Sequence, residues 1–282
     1  MRINHNISAM NTHRQLNYNN DASAKSMEKL SSGYRINRAA DDAAGLAISE
    51  KMRNQIRGLN QAQSNSQDAI SLIQTAEGAL NETHAMLQRM AELTTKAANE
   101  TLTTDDTSKI QKEITQLTEQ IDSIATQTKF NTKQILNTTS SLIFQVGANS
   151  GETIKLDLVD ATSSTLGVST GTLKDLSSDV GTTAASSLNT IAKGNLDAIQ
   201  KAINTVSENR SNLGAVQNRL EHTINNLGTT SENLQAAESR IRDVDMAKEM
   251  MAMTKNNILT QAAQAMLAQA NQQPQGVLQL LR

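Results

Sequence analysis

Side chains with catalytic potential are few and poorly placed for chemistry. The adjacent pair Asp41-Asp42 offers two carboxylates, but neighbouring residues of a helix or loop point in different directions, and no base or metal ligand stands close by in sequence. Four histidines, His5, His13, His84 and His222, are scattered along the chain. None belongs to a His-Glu-x-x-His motif, so zinc chemistry is not supported. A phosphate-binding Gly-x4-Gly-Lys loop and a Gly-x-Ser-x-Gly elbow are both missing. Cysteine is absent, which removes thiolate nucleophiles and disulfides together. No catalytic, cofactor or metal residue is expected, and the chain reads as non-enzymatic.

The elements that would position any site are long helices. Of 282 residues, 37% are hydrophobic and 1% aromatic, so burial falls to Ala, Leu, Ile and Met, which suit helix seams. Ile110, Ile114, Leu117, Ile121 and Ile124 are spaced 4, 3, 4 and 3 residues apart, a heptad seam. A C-terminal arm repeats the pattern through Leu196, Ile199, Ile203, Val206, Leu213, Leu220, Ile224, Leu227, Leu234 and Ile241, with polar breaks at Arg210, Gln217, Ser231 and Glu238. Residues 192–241, if helical throughout, would span roughly 75 Å. An N-terminal arm places Met52, Ile56, Leu59, Ile70, Ile73, Leu80 and Leu87 on one frame, with Ala62, Ala69, Ala76 and Ala79 beside it. Small neighbours permit close helix approach. The expected product is a mainly α, antiparallel three-helix rod over residues 45–238.

The middle has another character. Residues 137–190 hold 20 Ser or Thr in 54 positions, the composition of polar loops; O-glycosylation is left open there. Within them Leu142, Phe144 and Val146 alternate, Ile154, Leu156 and Leu158 alternate, and Asn149-Ser150-Gly151 separates the runs, which predicts a β-hairpin.

The chain ends carry thin apolar stripes: Ile3, Ile7, Met10, Leu16, Met27, Leu30 and Tyr34 at one, Leu259, Ala263, Met266, Leu267 and Ala270 at the other. Neither stripe could hold a lone helix. The ends, 1–44 and 239–282, are therefore expected to pair with each other as a coiled coil or with neighbouring subunits. Leu267, Val277, Leu278, Leu280 and Leu281 form an apolar tail near Pro274, suited to a groove.

Net charge is −2 at pH 7, far from the basic balance of a phosphate-binding protein, so no nucleic acid partner is expected. Residues 1–60 carry nine basic and five acidic side chains, a local excess that could steer subunit contacts. The opening MRINHNISAM lacks the apolar core of a secretory signal, and no run approaches ~18 consecutive apolar residues. These features alone would place the chain in the cytoplasm, away from membranes.

Longer stretches are more specific. MRINHN at Met1–Asn6, LSSGYRINR at Leu30–Arg38 and DDAAGLAISE at Asp41–Glu50 resemble the N-terminal half of bacterial flagellins. SRIRDVDM at Ser239–Met246 and ILTQAAQAMLAQANQQPQGVLQLLR at Ile258–Arg282 resemble the flagellin C-terminus, and QTAEGAL and QVGAN add to the match. The resemblance implies a subunit that polymerises into the flagellar filament for motility, terminal helices forming an inner layer through Ile3, Ile7, Met10, Leu30, Leu259, Met266, Leu267, Leu278 and Leu281. It implies a minimal subunit without large outer domains. It reverses the cytoplasmic expectation, since flagellins leave the cell through the flagellar type III export apparatus without a cleaved signal.

A dedicated export chaperone would mask the tail at Leu267, Val277 and Leu280, and cap and hook–filament junction proteins would be neighbours. Gln88, Arg89, Leu93 and Glu113 resemble the family's contacts to flagellin-sensing Toll-like receptors, with Ala91 where many relatives carry a second Arg. The competing account of these residues is packing between subunits by Leu93 and ion pairing by Arg89 with Glu113. Two rival identities are a hook–filament junction protein, which shares the terminal architecture but not the unbroken flagellin-type ending QANQQPQGVLQLLR, and a signalling helical bundle, which shows comparable heptads but needs neither thinly amphipathic termini nor a central hairpin and normally carries a membrane segment.

Overall fold

A computed structural model describes residues 6–99, 101–176 and 185–280. Helices dominate them, as the periodicity predicts. In chain order the elements are α1 (Ile7–Ser32), α2 (Ala43–Ala97), α3 (Thr104–Gln127), β1 (Lys129–Phe130), β2 (Lys133–Gln134), β3 (Ser141–Gln145), β4 (Thr153–Asp157), α4 (Ala185–Arg242) and α5 (Met246–Leu280). The chain divides into a terminal unit, residues 1–56 with 231–282, and a central unit, residues 57–230. No described helix is long and apolar enough to cross a membrane.

Helix ends follow local chemistry. The Asn6 side chain accepts from Ala9 N at 3.1 Å to start α1, and Gly33 stops it with φ +75°, a left-handed conformation that costs glycine little. Asp42 Oδ1 accepts from Gly45 N at 2.8 Å where α2 begins. Before α3, Thr103 and Asp106 form a reciprocal capping box.

In the central unit, α2, α3 and α4 share one core. Ile73, Leu87, Ile121, Ile199, Val206 and Leu220 are fully buried in it. The alanines expected beside the α2 seam lie at its centre: Ala62, Ala69 and Ala76 are each 1% exposed, and Ile70 is displaced to the margin. On α4 the break falls at Asn209, which is buried, and not at Arg210, because the spacing 202, 206, 209, 213 keeps the 4-3-4 rhythm. Hydroxyls in these seams bond their own helices. Ser66, Thr83, Thr94 and Thr118 donate to carbonyls four residues back at 2.7–3.1 Å, which satisfies a buried group without a directional tie to the next helix.

The expected hairpin forms with antiparallel register Leu142↔Leu156 and Phe144↔Ile154. Ile154 and Leu156 face the core and Ile143 faces outward. Val146 and Leu158, expected within the strands, lie just beyond them and are buried. Its turn docks on α2 at Gly58, where a Cβ would come within 2.8 Å of the Ala148 Cβ, and Asn65 Nδ2 donates to the Gln145 carbonyl at 3.2 Å.

Two features of the middle are new. The Ser/Thr-rich stretch is more than solvated loop: Leu166, Val168, Leu173 and Leu176 are buried in the core, and Asp122 accepts from both the amide and the hydroxyl of Ser163 at 2.8 Å. Asn195 clamps the Lys174 backbone, donating to its carbonyl at 2.9 Å and accepting from its amide at 3.0 Å.

A second small hairpin, β1–β2, turns at Asn131 and Thr132 with φ +47° and +68°. A β-branched residue is strained in this left-handed region. Thr132→Gly is therefore expected to stabilise the central unit by about 0.5–1 kcal/mol, read as a shift in the urea midpoint at unchanged slope.

Candidate assembly site

The terminal unit is built on antiparallel pairing of α1 with α5. Asn6 Nδ2 donates to the Ala270 carbonyl at 2.7 Å, and Ser23 Oγ donates to Asn257 Oδ1 at 2.9 Å. The seam is small and polar: Asn19, Ser26, Ala263 and Ala270 are buried in it. Large apolar side chains point the other way. Ile7 is 67% exposed, Met10 68%, Ile258 61% and Met266 60%. The terminal helices pair as expected, but only part of each stripe lies in the seam: Ala263 and Ala270 are buried there and Leu267 is half-buried, while Ile7, Met10 and Met266 lie outside it. Short side chains let the helices approach, and the bulky ones are left exposed outside the seam.

The remaining expected assembly residues divide. Leu30 and Leu267 are half-buried, and Leu259 is exposed. Val277, Leu278 and Leu280 fall on the α5 backbone in a stretch whose side chains lie outside those described; Ile3 and Leu281 lie outside the described residues altogether.

Where α1 and α4 end, residues far apart in sequence converge on Tyr34. Tyr34 pairs with Asp243 as an isolated antiparallel bridge, framed by Arg35 N donating to the Arg242 carbonyl at 2.7 Å and Val244 N donating to the Gly33 carbonyl at 3.0 Å. The Tyr34 ring lies beneath two guanidinium groups, Arg242 at 5.0 Å and Arg53 at 5.6 Å from its centroid. Arg53 Nε pairs with Glu238 at 3.1 Å and Arg242 Nη1 with Glu50 at 2.6 Å, while Arg53 Nη2 donates to the Tyr34 hydroxyl at 3.3 Å. Periodicity places Tyr34 in an apolar stripe. Its ring is a platform for charge, and alternating Arg and Glu around it carried no sequence signal of pairing.

Asp41 and Asp42 cap local backbone turns. Asp41 Oδ2 accepts from Asn37 N at 3.1 Å and Arg38 N at 3.0 Å. The Arg38 and then Asn37 amides hold its carboxyl below the ordinary value of 3.8. A lowered folded pKa stabilises above the unfolded value and is lost as pH falls through the folded one. Asp41→Asn is thus expected to be less stable than the parent at neutral pH, with the gap closing as pH drops below 3.8 and onward. Thermal denaturation at stepped pH checks this.

The receptor-like residues sit on the central unit. Arg89 Nε donates to Glu113 Oε1 at 3.0 Å and Nη1 to Glu92 at 3.2 Å, all three side chains being solvent-exposed. Gln88 reaches His84 at 3.0 Å. Leu93, expected as a contact between subunits, is 4% exposed within its own chain's core. Among the described residues, no cluster of three or more His, Asp or Glu could hold a metal ion.

Comparison with known proteins identifies the assembly. Residues 3–141 match the bacterial flagellin N-terminal helical region and residues 196–281 the bacterial flagellin C-terminal helical region. The flagellin of Halalkalibacterium halodurans is 59% identical, and that of Bacillus subtilis 58%, each alignment covering 100% of both chains. A crystal structure of Bacillus cereus flagellin is 34% identical with a TM-score of 0.50, covering 62% of this chain and 94% of that one. The chain therefore belongs to the bacterial flagellins, the structural subunits of the flagellar filament.

Proposed function

We propose that this subunit polymerises through its terminal unit, residues 1–44 and 239–282 forming the inner layer and 45–238 the surrounding shell. The observation that carries the reading is the inversion of the α1–α5 pair, small and polar within, large and apolar without. A helix pair of this kind is weakly held alone and gains burial only from further copies. Association that repeats without closing yields a helical filament. Before assembly the same apolar surface needs cover, which supports an export chaperone on the α5 end; passage through the type III apparatus without a cleaved signal and extracellular growth between hook-junction and cap proteins belong to this reading as what flagellin membership implies.

Electron microscopy after heat dissociation and seeded reassembly tests this. Full-length protein is expected to form filaments, and a chain lacking 1–44 and 239–282 to stay unassembled. Filaments from the truncated chain would overturn the reading, and full-length protein that only capped existing filaments would indicate a junction protein.

A second role, as ligand of a flagellin-sensing Toll-like receptor, is favoured by the exposed Arg89–Glu113 pair with Gln88 beside it. Exposed ion pairs contribute about 0–1 kcal/mol, so Arg89→Ala should leave the fold intact while lowering receptor activation by free subunits. Unchanged activation would remove Arg89 from the contact.

A further inference from the structure

Sulfur in this chain is methionine alone, with eleven Met and no Cys. Nine of the eleven belong to the terminal unit, Met86 and Met90 being the exceptions. Among large side chains exposed in that unit, Met10, Met27, Met246, Met250, Met251 and Met266 are each at least 50% accessible. Met250 and Met251 line an open groove of about 490 Å³ on α5 with Thr254, Lys255, Ile258 and Leu259. Met90 is completely buried in the central unit. Thioether sulfur is thus concentrated on the surface that assembly must bury, and spared elsewhere.

Methionine suits such a surface because its flexible, polarisable chain fits irregular contacts. It also brings a liability that leucine lacks. A thioether lone pair attacks a peroxide oxygen, the O–O bond breaks, an S–O bond forms, and water leaves. Sulfur loses two electrons and the peroxide gains them. The sulfoxide is polar and chiral, and cannot be buried as the thioether was.

We propose that Met10, Met27, Met246, Met250, Met251 and Met266 form an oxidation surface that decides whether a free subunit can assemble. Peroxide converts the free subunit to an assembly-incompetent form, while polymerisation covers the same sulfurs and protects them. The inference rests on the assembly reading above, since an uncovered surface would tolerate the added oxygen.

The test exposes free subunits to hydrogen peroxide, removes it, maps sulfoxide by mass spectrometry and follows seeded elongation. Oxidised protein is expected to carry oxygen at Met250 and Met251 but not Met90, and to need about tenfold or more higher concentration to elongate. Peroxide added to finished filaments should modify these six residues far more slowly. A variant with all six replaced by Leu should elongate equally before and after treatment; loss of elongation on treatment would place the damage elsewhere and overturn the proposal. Should that variant fail to elongate untreated, enzymatic reduction of the sulfoxides in the parent protein decides: recovery supports the site, and continued failure after complete reduction overturns it. Undiminished elongation of parent protein oxidised at Met250 and Met251 would overturn it as well. Untreated parent protein that does not elongate at all would refute the assembly reading, and this inference with it.

Discussion

Leu87→Ala is expected to destabilise the central unit by about 2–5 kcal/mol, the cost of losing a fully buried leucine and leaving a cavity. Leu87 is 0% exposed and belongs to the cluster in which α2 meets Ile114 and Ile121 of α3 and Val206 and Leu220 of α4. The core holds few aromatic side chains able to swing into the space: the chain has two Phe, two Tyr and no Trp. Seams of Ala, Ile and Leu relax little, because each helix is already held close by its small residues. Chemical denaturation followed by circular dichroism measures the loss. A change below about 1 kcal/mol would mean that the α2 seam collapses around the deletion, contrary to its close packing.

Arg53→Ala should cost the terminal unit about 1–3 kcal/mol, between an exposed and a fully buried pair because the Arg53 side chain is 36% exposed while Glu238 is nearly covered. Its removal leaves the Glu238 carboxylate, 8% exposed, without the cation now 3.1 Å away. It also takes one of the two guanidinium groups off Tyr34 and the donor from its hydroxyl. Arg53→Lys should recover only part of this, since an ammonium cannot lie flat on the ring while reaching a carboxylate and a hydroxyl. Hydrogen exchange resolves the effect by region: faster exchange is expected around residues 33–36 and 238–244. Uniform exchange in parent and variant would show that the backbone bridge at Tyr34–Asp243 holds this junction without the charges.

Periodicity revealed the helices and one hairpin because both repeat lengths are properties of the backbone. Ile110, Ile114, Leu117 and Ile121 can share a face only on a helix, and Leu142–Phe144 opposite Ile154–Leu156 only on paired strands. The β1–β2 turn was illegible because Asn131-Thr132 lacks the glycine that usually announces such a turn; the surrounding fold imposes a conformation that Thr132 does not favour. The Ser/Thr-rich stretch misled in the opposite direction, since composition averages over Leu166, Val168, Leu173 and Leu176, four well-spaced anchors that seat it on the helices.

Sequence by itself pointed to the helical class, the heptad spacing along the long helices, the β3–β4 hairpin and, through its terminal motifs, the flagellin family. Tertiary structure alone decided which residues of a frame lie at its centre, placing Ala62, Ala69 and Ala76 inside and Ile70 at the edge. It alone turned Ile7, Met10 and Met266 outward while Asn19, Ser26, Ala263 and Ala270 filled the α1–α5 seam, and it alone brought Tyr34, Arg53 and Arg242 together. The physical reason is common to all three. A residue's period along the chain follows from its own backbone, whereas burial and charge pairing depend on how closely a partner can approach, and approach is set by the smallest side chains on both surfaces.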